Sequence, residues 1–191
     1  MHAQPQPRDY RGSRATIPGK RVLLRELRWE DMDEMERWPP FREPDLQWAN
    51  FDLHTQAQKD AWFRQELYDP TRKRFAIIVD RRLIGVLGLR SIDYRHGRAT
   101  LGIRLSSAEV NKGHGTDAIN AVLGYAFTKM RLSHIDLDVA EGNRRAQRCY
   151  EKCGFRYIGR HQDLRGMIYL DMTISTEEFA ARQHQQGPLP L

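Results

Sequence analysis

Cysteine is nearly absent: Cys149 and Cys153 are the only two in 191 residues. Four apart in a helical pattern, they offer neither a disulfide framework nor enough ligands for a metal. They read as reduced, small core residues. Long apolar runs are missing too. Nothing approaches the roughly 18 residues of a membrane span, and no charged–apolar–small pattern marks a signal peptide. A cytoplasmic protein without a membrane partner is the expectation. The sequence also lacks a basic helix stripe interleaved with stacking aromatics, so its net charge of +6 does not call for nucleic acid. The excess sits in scattered arginines such as Arg72, Arg74, Arg81 and Arg82, and suggests anions in general.

What is present suits one soluble α/β domain: 40% hydrophobic and 29% charged residues. Residues 1–19, aperiodic and rich in Pro, Gln, Arg and Gly, read as a flexible arm, and 183–191 as a flexible tail, with one domain over 20–178. Val22–Leu27 reads as a strand, and a short helix from Trp29 stops at Pro39-Pro40. Thr55 with Gln58 forms a capping box for a helix through Trp62, Phe63 and Leu67. Phe75–Val79 and Leu83–Asp93 are strands, with Gly85 and Gly88 as bulge positions. A turn at Arg95–Arg98 leads to the alternating strand Ala99–Leu105.

A helix then carries Ile119, Val122, Leu123, Ala126 and Phe127 at the 3.6-residue period, followed by the strand His134–Val139. Asn143 can cap a helix with Ala146, Cys149, Tyr150 and Cys153 on one face, closed by Gly154. Phe155–Arg160 and Met167–Ile174 complete a mixed sheet of about seven strands, antiparallel in its front half, flanked by about four helices.

Between the 99–105 strand and the next helix lies Val110-Asn111-Lys112-Gly113-His114-Gly115-Thr116. A strand, a glycine turn and a helix N-terminus converge free N–H groups and the positive end of the helix dipole on one point, which suits a phosphate. The same pair of glycines also makes an ordinary tight turn. Ala118 stands where a dinucleotide fingerprint needs its third glycine, and Lys112-Gly113 reverses the order of a P-loop. A pyrophosphate held by main-chain amides, with Lys112 as a nearby cation, is the remaining reading.

The order of elements, the 110–118 turn, the Asn143–Ala146–Tyr150–Gly154–Phe155 spacing and the strand Leu83–Leu89 together resemble the GNAT superfamily of acyl-coenzyme A N-acetyltransferases. The resemblance covers roughly 20–175. It is strongest to the branch of ribosomal-protein N-terminal and spermidine acetyltransferases, although Val110 departs from the usual first residue of the turn. It implies a GNAT fold in which the strand 99–105 parts from the strand 134–139. It further implies acetyl-CoA as cosubstrate, no metal, and direct attack by a primary amine in a ternary complex.

By the same resemblance, Ile103, Arg104 and Leu105 offer main-chain groups to the pantetheine arm. Val110, Asn111, Lys112, Gly113, His114, Gly115 and Thr116 cradle the pyrophosphate, Asn143 contacts coenzyme A, and Tyr150 protonates the departing thiolate. From spacing alone, Tyr150 reads first as a core aromatic and Asn143 as a helix cap.

Thr100 stands where many members of the family carry a glutamate base, so no base is assigned. Asp93, Asp136, Asp138 and Glu26 are acidic alternatives, transfer of the proton to water is another, and His134 reads as structural. The acceptor is expected near Trp29, Trp38, Phe41, Trp48 and Tyr169, while Asp31, Asp33, Glu34 and Glu36 read as a solvated helix face. A protein N-terminus or small amine fits. Aminoglycoside, polyamine and amino-acid acceptors remain open, as do a coenzyme A-binding sensor without turnover and a homodimer.

Overall fold

The computed structural model describes residues 16–43, 46–47, 50–53 and 55–186. One mixed sheet of eight strands runs β1 (Thr16–Pro18), β2 (Leu23–Glu26), β3 (Lys73–Val79), β4 (Arg82–Asp93), β5 (Arg98–Leu105), β6 (His134–Ala140), β7 (Arg156–Gln162) and β8 (Ile168–Ser175). Among the described residues the α-helices are α1 (Asp31–Glu36), α2 (Gln56–Tyr68), α3 (His114–Thr128), α4 (Arg144–Cys153) and α5 (Thr176–Gln186). In space the strands follow the order β1-β2-β3-β4-β5-β6-β8-β7, and all neighbours are antiparallel except β5 and β6.

Two elements exceed the expected count, and both have a local cause. β1 lies inside the segment read as a flexible arm. Three residues suffice because Thr16–Pro18 pair with Leu23–Arg25, while the Asp117 carboxylate accepts N–H bonds from Lys20, Arg21 and Val22 at 2.9, 2.6 and 2.9 Å. Pro18 can stand there because an edge strand needs no second ladder of donors. α5 runs into the segment read as a tail. Its start is a reciprocal cap, in which Ser175 N–H donates to Glu178 Oε2 at 2.7 Å and Glu178 N–H to Ser175 Oγ at 3.2 Å. Phe179 then buries against Phe127, ring centroids 5.4 Å apart.

The expected caps form elsewhere. Thr55 and Gln58 close their box, the Asn143 side chain accepts the Ala146 N–H, and Gly154 ends α4 at φ +96°. Two cores sit on opposite faces of the sheet. α3 and α4 bury Ile119, Leu123, Ile135 and Phe155 on one, and α1 and α2 bury Met32, Met35 and Phe63 against Ala76 and Val86 on the other. Each such aliphatic side chain contributes about 1.5–3 kcal/mol by leaving water. The irregular register at Gly85 accords with a bulge there, whereas Gly88 stays in regular register with Arg74 and Gly102. A second irregularity falls near Ser91, at φ +51°.

The sheet is least complete between β5 and β6. They are joined only at Arg98–His134, Ala99–Ile135 and Thr100–Asp136. Beyond that rung β5 stays bonded to β4, and β6 to β8, so the sheet opens between them.

Candidate active site

The opening widens into a cavity of about 590 Å³. Ile103, Arg104 and Leu105 line it from β5, and Asp138, Val139 and Ala140 from β6. Its other walls are the turn before α3 and the exposed side of α4. Of the residues expected at a cofactor site, Ile103, Arg104, Leu105, Val110, Asn111, Gly113, Gly115, Thr116, Asn143 and Tyr150 are brought together there. Lys112 and His114 are not. Lys112 reaches solvent and pairs with Glu109 at 3.1 Å, and His114 Nδ1 turns toward the same carboxylate at 3.5 Å. Lys112 is therefore a partly neutralised cation outside the cavity.

The turn adopts its shape for a steric reason. Gly113 caps α3 at φ +81°, where an L side chain is strained, and a Cβ there would strike the Arg21 guanidinium. Arg21 also donates to the Lys112 carbonyl at 3.0 Å, which brings a cation against the turn that sequence spacing did not suggest. Gly115 is buried, and a Cβ on it would stand 3.4 Å from Leu105 and 3.7 Å from Cys149 Sγ. The absence of side chains at both positions keeps the first turn of α3 low beside the cavity.

On α4, Tyr150 is buried, meets Phe155 edge-on at 5.9 Å, and still lines the cavity. Burial pushes its phenol well above the ordinary tyrosine range, with Cys149 and Asp138 adding to the effect. Cys153 is a core residue as expected. Cys149 is not: it is half-buried, lines the cavity, and lies 3.3 Å from Thr116 Oγ1. A hydrogen bond with Cys153 draws the Cys149 thiol downward, aided by Thr116 and Lys152 against the cost of burial, while the Cys153 thiol is pushed up.

The far end of the cavity is lined by Phe41, Leu46, Arg90, Asp138, His161, Asp163 and Tyr169. Of the four acidic candidates for a base, Asp138 alone lines the cavity, and it accepts from Arg90 at 2.9 Å. Asp136 is held by Arg98 and Thr173, Asp93 by His96, and Glu26 belongs to β2. His134 opens β6 beside Ser133, away from the cavity lining. His161 was not foreseen. It stacks on Tyr169 at 5.4 Å and meets Asp171 at 2.8 Å, a grouping set by the β7–β8 register.

Among the aromatics expected at the acceptor, Phe41 and Tyr169 do line the cavity. Trp29 is core, packed on Phe63, Trp38 belongs to a separate groove beside Pro39, and Trp48 lies outside the described residues. The acidic face of α1 is not uniformly solvated. Asp31 is buried and takes two bonds from Arg25 at 2.7 and 2.6 Å plus the Arg28 N–H, and Asp33 and Glu36 pair with Lys59.

Comparison with known proteins decides the family. Residues 21–156 match the acetyltransferase (GNAT) domain family. The chain belongs to the GNAT acetyltransferases. It is an acetyl-CoA-dependent N-acetyltransferase. A relative, the spermidine N(1)-acetyltransferase of Vibrio cholerae, is 33% identical over 119 residues, which span 56% of this chain and 69% of that one. The uncharacterized N-acetyltransferase p20 of Bacillus licheniformis is 26% identical over 78% of this chain and 86% of its own. Among solved structures, the Vibrio cholerae spermidine N-acetyltransferase in complex with CoA and spermine superposes with a TM-score of 0.73. It is 25% identical over 84% of this chain and 98% of that one. Mycobacterium smegmatis RimJ in complex with CoA-disulfide shares the fold, with a TM-score of 0.74 at 22% identity over 91% and 95% of the two chains. Among the described residues no helix of this GNAT domain is long and apolar enough to cross a membrane.

Proposed function

We propose that this acetyltransferase moves the acetyl group of acetyl-CoA directly to a primary amine, both substrates sharing the cavity between β5 and β6. The observation that carries the reading is the parted pair of strands opening onto the glycine turn of α3. The residues present fit coenzyme A: a low, Cβ-free helix start for the pyrophosphate, and two strand backbones released from each other for an extended arm. Acetyl-CoA supplies the activated thioester.

The chain's own groups divide the remaining work. Main-chain amides at Gly113, Gly115 and Thr116, with Arg21 alongside, bind phosphate. Backbone groups at Ile103–Leu105 align the arm and offer an N–H to developing negative charge on oxygen. Asn143 holds the start of α4 against the cavity, so that Tyr150 reaches the sulfur end. The buried phenol stays protonated and donates to the departing thiolate. The amine enters between Phe41, Asp138 and Tyr169. Its proton passes to water, with Asp138 the carboxylate facing the parted strands.

Two-substrate kinetics test the scheme. Initial rates at varied acetyl-CoA and amine should give intersecting reciprocal lines. Parallel lines, with an acetylated enzyme isolated in the absence of amine, would replace direct transfer by a covalent route through the chain.

A further inference from the structure

The guanidinium of Arg104 borders the cavity. Ile103 and Leu105 point toward α3, since their side chains lie 3.9 and 3.4 Å from where a Cβ of Gly115 would stand. Strand alternation turns Arg104 to the opposite face, the one that α1 and α2 cover. Its cross-strand neighbours there, Val86 and Ala76, belong to the core under those helices.

The buried carboxylates of the helices on that side are already committed, Asp31 to Arg25 among them. Glu66, buried on α2, accepts from Arg72 at 3.0 Å and from Arg74 at 2.9 Å. Among the described residues no carboxylate pairs with Arg104. Burial and the charge of Arg74 both press against its cationic form. A guanidinium drawn out of water without an anion is unfavourable, and an arriving carboxylate relieves that cost through a two-pronged bond.

The floor beside Arg104 is open. Gly102, two residues earlier on the same face, has nothing within 4 Å of a Cβ position. Its partner Gly88 lets Arg74 lie across the sheet, because a Cβ there would come within 3.0 Å of the Arg74 Nε. Asp138 lines the same cavity from β6. Charges of both signs thus border the space into which the acceptor comes, Asp138 among them already paired with Arg90.

We propose that Arg104 binds a carboxylate of the acceptor, so that the amine acetylated by this chain belongs to a molecule that also carries a carboxylate. This rests on the acetyl-transfer reading above. The second ammonium of a polyamine would meet the like charge of Arg104, which opposes it. A free amino acid and a peptide with an acidic residue near its N-terminus present the same chemistry.

Matched acceptors test it on the full chain with acetyl-CoA. The ω-amino acids from glycine to 6-aminohexanoate are compared with diamines of equal length, which steps the spacing between the two ends. Peptides opening Ala-Glu are compared with the same peptides opening Ala-Gln. In at least one pair the carboxylate member should exceed its partner in kcat/KM by more than tenfold. R104Q should remove that preference, and R104K should restore part of it, with coenzyme A binding by calorimetry confirming a folded protein. Preference confined to the first set assigns a small amino acid, and to the second a peptide. Equal or better use of diamines and Gln peptides, or an equal loss on both members of each pair in R104Q, overturns the proposal alone. No turnover on any amine would strike the acetyl-transfer reading itself, and this proposal with it.

Discussion

Tyr150 and Cys149 are neighbours in sequence and opposites in chemistry. Burial raises one acid while hydrogen bonding lowers the other, and both face one cavity. Tyr150→Phe keeps the ring against Phe155 and removes only the hydroxyl. kcat should fall by about 10²–10⁴-fold with coenzyme A affinity nearly unchanged. A phenol raised in this way stays protonated as pH climbs through 7 to 10, so the rate should show no tyrosine ionisation in that window. A descending limb below pH 9 that Tyr150→Phe abolishes would contradict the assignment. For Cys149, alkylation by iodoacetamide should reach half its maximal rate below the pH of about 8.5 typical of free cysteine. Saturating coenzyme A should slow that alkylation at least tenfold, and Cys153, buried in the core, should react far more slowly. Equal reactivity of the two thiols by peptide mapping would remove Cys149 from the cavity wall.

At the scale of elements, local chemistry was legible and long-range partnership was not. The strand from Ala99, the amphipathic α3, the Thr55–Gln58 box, the Asn143 cap and the Gly154 stop are written in spacings of two to four residues. The capping pattern Ser175–Glu178 is equally local, but it follows a strand with no break, and nothing in the spacing separates it from that strand. β1 depends on Asp117, about a hundred residues away, and nothing near Thr16 announces it. Asp31 looks like one more acid on a charged helix until Arg25 on β2 is brought to it. Replacing Asp31 with Ala leaves that guanidinium facing an emptied site. The variant should lose about 3–5 kcal/mol in denaturant unfolding, whereas Gln56→Ala, on exposed α2 surface, should stay within about 0.5 kcal/mol. The turn before α3 permits a similar test. Gly115→Val projects into the space between Leu105 and Cys149, so coenzyme A affinity should drop more than tenfold while the thermal midpoint moves little. An unchanged Kd in that variant would dissociate the turn from the cofactor.

For the whole molecule, the family was legible because two spaced motifs frame the same gap from α3 and α4. The polar end of the cavity was not, because Arg90, His161 and Asp163 come from three separate strands or turns and converge only through the sheet register. The net charge of +6 likewise hides local differences: carboxylates meet Arg25, Arg72, Arg74, Arg90, Arg98 and Arg156, whereas Arg104 borders the cavity with no carboxylate partner among the described residues. In the proposed direct transfer, one chain holds an acetyl donor and an amine across the β5–β6 opening. Acetyl-CoA labelled with ¹³C in the acetyl group, incubated with the full chain and the matched amines above, tests it by mass spectrometry of the products. The label should appear on the nitrogen of at least one carboxylate-bearing amine, at a rate that Tyr150→Phe lowers by two orders of magnitude or more. Label remaining on coenzyme A at the uncatalysed rate, in protein that binds coenzyme A normally, would contradict the account.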